Sequence, residues 1–192
     1  MTTPAPGVTK RRWVTRRRFL KVSAAAGGAL ALGFVLGPIV GRRRRERAIR
    51  AAAEATGEFR PNAWLVIHPD DRIVFTLDRV EMGQGTMTSH SMLIAEELEV
   101  DPTTIEVEFA VADRRYDHPE FGLQITGGSS SVRTSWEQLR HAGAVAREML
   151  RAAASAELGV PPSECVASNG TIAHALTGHT WSYGALTRLA AM

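Results

Sequence analysis

Cysteine is almost absent from this chain: Cys165 stands alone among 192 residues. One thiol cannot close an internal disulfide. With no C-x-x-C pair and no paired histidine spacing, the chain offers no metal site and no cysteine set for an iron–sulfur cluster of its own. The six histidines (His68, His90, His118, His141, His174 and His179) are scattered and read as surface or packing residues rather than ligands. Lysine is missing beyond Lys21. Residues 1–60 hold 14 basic against 3 acidic side chains, whereas residues 61–192 hold 9 against 17, net −8, within a chain of net +3. The basicity therefore belongs to the leading segment, and it gives no case for nucleic-acid binding by the remainder. That mildly acidic remainder, about 130 residues, suffices for one domain with a modest core.

What is present begins at Thr15-Arg16-Arg17-Arg18-Phe19-Leu20-Lys21, which resembles the twin-arginine export signal of bacteria. An uncharged, Gly- and Ala-containing run from Val22 to Val40 follows. At about 1.5 Å per residue it would reach roughly 28 Å, close to the hydrocarbon thickness of a bilayer. Two readings stay open. No small-x-small cleavage site stands before Arg42-Arg43-Arg44-Arg45, which favours a retained anchor; the glycines, Pro38 and the placement of those arginines favour a cleaved signal. The resulting expectation is a signal or signal anchor over 1–41, a charged helical linker over 42–60 and a domain over 61–192. The twin-arginine translocase would be the export partner, delivering the chain to the periplasmic side of the cytoplasmic membrane. Cargo of that route crosses folded, commonly because a cofactor is already aboard.

The pattern of the remainder predicts an α+β fold: a small mixed or antiparallel sheet packed by two helices and preceded by the N-terminal apolar signal or anchor helix. Strands are expected at 63–68 and 72–77, joined through Pro69-Asp70-Asp71, and at 104–111, where Ile105, Val107, Phe109 and Val111 alternate with charge. Helical spacing of apolar residues predicts helices over 86–98 and 132–158, the second ended by Gly159 and Pro161-Pro162. An irregular stretch runs over 112–125, the length usual for a functional or mobile loop. Two short strands are expected about Asn169-Gly170, and a helix capped by Ser182 follows.

Two glycine-rich loops open directly into the predicted helices: Gly83-Gln84-Gly85-Thr86 and Thr126-Gly127-Gly128-Ser129-Ser130-Ser131. Glycine lets backbone N–H groups approach a ligand, and the first N–H groups of a helix lack internal partners. Either loop alone reads as a tight turn with Thr86 or Ser131 as cap. Neither is a dinucleotide fingerprint, since Thr88 and Ser89 stand where a third glycine would help, and neither is a P-loop. Together, behind an export signal of this kind, they point to a large polar cofactor with phosphate groups, held by Gly83, Gln84, Gly85, Thr126, Gly127, Gly128, Ser129, Ser130 and Ser131.

Val80-Glu81-Met82-Gly83-Gln84-Gly85-Thr86, the following Met92 to Leu98, and Thr126 to Arg133 resemble the molybdopterin-binding subunit of the xanthine dehydrogenase and aldehyde oxidase family, of the exported isoquinoline 1-oxidoreductase β type. The resemblance runs from the twin-arginine signal to Ser182-Tyr183-Gly184-Ala185-Leu186. It implies an oxidoreductase that hydroxylates N-heterocycles or aldehydes at a molybdenum centre carried by molybdopterin cytosine dinucleotide, with a separate iron–sulfur subunit as electron partner. Subunits of that family are several times longer, so the resemblance also implies that the catalytic glutamate and further cofactor loops lie in a remainder of the subunit absent here. No catalytic or metal-binding residue is assigned to this chain, and Glu81 is given no base role. By itself the chain is expected to be inactive, with an incomplete cofactor site; the alternative is a non-catalytic, exported, membrane-tethered binding module or an inactive fragment.

Overall fold

The structure, a computed structural model, describes residues 55–191. The twin-arginine stretch, the apolar run and most of the 42–60 segment lie outside the described residues. Among the described residues, no helix is long and apolar enough to cross a membrane.

Strands β1 (Leu65–Ile67) and β2 (Ile73–Leu77) form the expected antiparallel hairpin, with Leu65 opposite Phe75 and Ile67 opposite Ile73. β1 starts later than its apolar run because the Asn62 side chain takes the N–H groups of Trp64 and Leu65, at 3.0 and 3.1 Å. Before it, Phe59 bridges to Ile67 through two 2.8 Å backbone bonds and is only 1% exposed, so the chain joins the core already at that residue. Helix α1 (Thr86–Leu98) follows, ending where Glu99 turns left-handed at φ 57°. It delivers the chain to β3 (Ile105–Phe109), which pairs with β2 in parallel from Ile73 opposite Ile105 to Leu77 opposite Phe109. Parallel neighbours require such a crossover. Central strand β2 buries four of its five side chains, the near-continuous apolar run of a strand covered on both faces.

Helix α2 (Ser131–Leu158) buries Leu139, Ala142, Gly143, Ala146, Leu150, Ala153 and Ala154 at three- and four-residue spacing. It lies tight against α1: a Cβ built on Gly143 would stand 2.6 Å from the Ile94 carbonyl oxygen and 3.1 Å from Glu97 Cβ. Across the same contact, Arg140 Nε donates to Glu97 Oε1 at 2.8 Å.

Strands β4 (Cys165–Ser168), β5 (Thr171–His174) and β6 (His179–Ser182) form a separate antiparallel meander, and α3 (Tyr183–Ala190) closes the fold with Ser182 Oγ capping Ala185 N–H. Asn169 and Gly170 both have positive φ, 47° and 73°, as a type I′ turn demands. That turn is fastened to the end of α1, since Gly170 N–H donates to the Glu99 carbonyl at 3.0 Å. The Tyr183 hydroxyl donates to the Leu98 carbonyl, and burial raises its pKa. Cys165 is fully buried, with its carbonyl accepting from Arg151 Nε at 2.8 Å.

The α+β class is as expected, but the single sheet packed by two helices is corrected, among the described residues, to two three-stranded sheets with helices α1, α2 and α3. Strand β6 falls where no strand was expected. Both pairings within β4–β6 close over short turns, so they form at small entropic cost, whereas joining the β1–β3 edge would close a far longer loop.

Gly143→Ala sets two effects against each other. Helix propensity favours alanine by about 1 kcal/mol, while overpacking at a helix contact costs about 1–3 kcal/mol. With backbone as the obstructing atom, the second should win, and the melting temperature of the variant should fall by a few degrees. A rise would show that α1 and α2 are not held this close.

Candidate functional site

Both glycine loops leave the carboxyl ends of the parallel strands. The chain exits β2 into Asp78–Gly85 and then α1; it exits β3 into residues 110–130 and then α2. The space beyond the carboxyl ends of parallel strands is where α/β units hold their ligands. Two hydrogen bonds bring the loops to one rim. Val80 N–H donates to Thr126 Oγ1 at 2.8 Å, and His90 Nε2 lies 3.2 Å from the Ser131 carbonyl, to which it must donate. The two loops that hold the nine residues singled out from the sequence are thus tied together at Val80–Thr126 and His90–Ser131, with Ser130 buried beneath.

The first loop satisfies itself. Glu81 folds over the start of α1, its carboxylate accepting from Gly83 N–H at 2.7 Å, Gly85 N–H at 3.1 Å and Met87 N–H at 2.8 Å. Those bonds, Met87's above all, hold its pKa below the usual carboxylate value. Gln84 also turns inward, accepting from Met82 N–H at 2.6 Å and donating to the Val80 carbonyl at 2.7 Å. The positive end of the α1 dipole is therefore filled by a tethered anion. Gly83 and Gly85 take φ 94° and 78°, with nothing within 4 Å of where a Cβ would stand, so this face of the loop is open.

The second loop differs. No side chain caps α2, and the N–H groups of Gly127, Gly128 and Ser129 donate to no acceptor among the described residues. Gly128 and Ser129 are left-handed, at φ 64° and 50°, and Ser130 returns to φ −106°. Such a change of hand turns successive N–H groups toward one side, the arrangement of an anion-binding concavity. The hydroxyl of Ser130, by contrast, points into the protein, donating to the Gly127 carbonyl at 2.7 Å.

Beneath the rim lies a buried polar layer that sequence spacing does not reveal. Asp78 and Arg79 pair at 2.8 Å, with Arg79 only 2% exposed. Burial raises the Asp78 pKa against the opposing pull of Arg79, and lowers that of His90. Among the described residues, Asp78 Oδ1, Arg79 Nε, His90 Nδ1 and Ser135 Oγ find no hydrogen-bond partner. His118 is 1% exposed and contacts Ser130. The expected irregular stretch is pinned as well, since the Tyr116 hydroxyl donates to the Ala63 carbonyl at 2.9 Å. Among the described residues, no group of three or more His, Cys, Asp or Glu side chains could hold a metal. The donor set of backbone N–H groups and hydroxyls fits a phosphate-bearing organic cofactor.

The Glu81 seat predicts a pH signature. A depressed carboxylate pKa adds stability that is present above the ordinary value and lost as pH falls through the depressed one. Glu81→Gln should lower the melting temperature at pH 7, and its gap from the parent should shrink toward pH 3. A gap constant with pH would show that the charge of Glu81 does not hold the loop.

The sequence has relatives among known proteins. Over 188 residues, 97% of this chain and 23% of the relative, the sequence is 30% identical to isoquinoline 1-oxidoreductase subunit beta of Brevundimonas diminuta. Over 116 residues, 60% of this chain and 14% of the relative, it is 34% identical to the membrane-bound aldehyde dehydrogenase (pyrroloquinoline-quinone) of Gluconacetobacter polyoxogenes. The backbone matches that of the Cu,Mo-CO dehydrogenase with TM-score 0.51 at 20% identity, covering 65% of this chain and 15% of that one, a likeness of fold. The chain spans less than a quarter of the length of the curated relatives just named. Residues 36–192 match the molybdopterin cofactor-binding domain, and with the motifs at Met82–Gly85 and Gly127–Ser131 already pointing there, the chain belongs to that family.

Proposed function

We propose that this chain is the N-terminal portion of an exported molybdenum hydroxylase subunit and contributes one rim of a molybdopterin cytosine dinucleotide site. The observation that carries this reading is the second loop: open, unspent N–H groups at the start of α2, on the rim formed by the exits of two parallel strands. In such a site the N–H groups of Gly127, Gly128 and Ser129, with the hydroxyls of Ser129 and Ser131, take a phosphate of the dinucleotide. The Glu81–Gly85 loop offers its open glycine face as a wall, and Glu81 keeps anions from the α1 terminus so that phosphate goes to α2. When bound, the cofactor supplies hydroxylation of an electron-poor carbon in an N-heterocycle or aldehyde, with electrons leaving through an iron–sulfur subunit. The name of the Brevundimonas relative, a β subunit, supports the subunit role. Substrate-facing groups and the catalytic glutamate belong to the remainder of the subunit.

The decisive test is chemical. The subunit expressed with its downstream reading frame and purified from the cell envelope should contain molybdenum and cytidine nucleotide in equal amounts. Absence of both, or a quinone in their place, would overturn the reading.

Export has its own test. Replacing Arg16 and Arg17 by lysine should leave the full chain in the cytoplasmic fraction, and undiminished appearance on the periplasmic side would remove the twin-arginine assignment.

A further inference from the structure

Whatever seats a phosphate on the second loop depends on the direction of its peptide planes, and the Gly127 carbonyl is held by both the hydroxyl and the N–H of Ser130, at 2.7 and 3.3 Å. His118 Nδ1 accepts from Glu120 N–H at 3.1 Å, so this nitrogen carries no proton. Its Nε2 does, and lies 2.8 Å from Ser130 Oγ. That oxygen has already given its proton to the Gly127 carbonyl, so the imidazole donates to it. The relay is thus directional: Glu120 N–H to His118, His118 to Ser130, Ser130 to the Gly127 carbonyl. Because the peptide is planar and trans, a Gly127 carbonyl turned inward sets the Gly128 N–H outward. The ring is itself clamped. Phe121 lies on it with centroids 4.4 Å apart, and Thr134 Oγ1 is 3.4 Å from Nε2. Phe121 also reaches the loop, its Cζ lying 3.8 Å from where a Cβ on Gly128 would stand.

We infer that His118 is a positioning residue of the cofactor loop: through Ser130 it helps hold the Gly127 carbonyl inward and thereby presents the Gly128 N–H to phosphate. This rests on the reading that the second loop takes the phosphate of the cofactor. Nothing in the sequence spacing marks the residue, whose isolation from other histidines reads only as a surface or packing position.

The experiment uses the full-length subunit with four substitutions, His118→Leu, His118→Gln, Ser130→Ala and Gly128→Val, read by cytidine nucleotide content and by hydrogen exchange of the 126–134 peptide in cofactor-free protein. Loss of a group that orients a ligand holder typically weakens binding at least roughly ten-fold. His118→Leu and Ser130→Ala should each lower nucleotide content by about that factor and speed exchange, while His118→Gln, which keeps an N–H donor, should restore both. If His118→Leu does not fold, Ser130→Ala and His118→Gln decide the matter alone. Glutamine failing like leucine, or alanine at Ser130 behaving like the parent, would reduce His118 to packing. Full content in His118→Leu with loss in Gly128→Val would overturn the positioning role alone. Full content in Gly128→Val would overturn the reading of the loop itself.

Discussion

Parallel pairing of β2 with β3 is the constraint on which the rest depends. Two antiparallel strands would send their exits to opposite edges; parallel ones place both exits at one edge and oblige the chain to cross between them. Here α1 makes the crossing, and the exits become the two glycine loops, each opening a helix. Helix α2 must then lie along α1, and only a glycine at position 143 admits the Ile94 carbonyl at that separation. The rim is a consequence of sheet topology, fastened afterwards by Val80 to Thr126 and by His90 to Ser131.

The rim is electrically lopsided. Each helix presents unpaired N–H groups and a partial positive charge at its start. At α1 these are satisfied by Glu81, an anion tethered a few residues away; at α2 no side chain takes their place. A diffusing dianion thus meets repulsion on one side of the rim and donors on the other. Underneath, Asp78 and Arg79 cancel one another's charge, yet each keeps a polar atom without a partner among the described residues. Such a pair costs desolvation free energy, and removing one member alone would leave the other charge buried without a partner.

Much of this was legible in the residues. Helix α1 occupies the expected 86–98, and α2 begins one residue before its expected start, because apolar periodicity and the terminating Gly159 are local signals. The Asn169-Gly170 turn is equally local. The two glycine loops were legible as helix-opening turns, and the structure tells their groups apart: the N–H groups of Gly127, Gly128 and Ser129 meet no acceptor among the described residues, while Gln84 and the Ser130 hydroxyl bond back to the chain. Illegible were the features that depend on distant partners. Strand β3 could have paired either way from its alternation alone. The second sheet needed β6, whose His179-Thr180-Trp181-Ser182 carries little apolar pattern. His118 finds Ser130 twelve residues on, across a turn that no periodicity describes.

The solitary thiol has a use of its own. Cys165 opens β4, is sealed from solvent, and is bound through its carbonyl to Arg151 on α2. No reagent reaches its sulfur until the meander parts from the long helix. Since the chain has no other cysteine, the rate of alkylation meters that one separation, a built-in clock for how often the two sheets lose their common support.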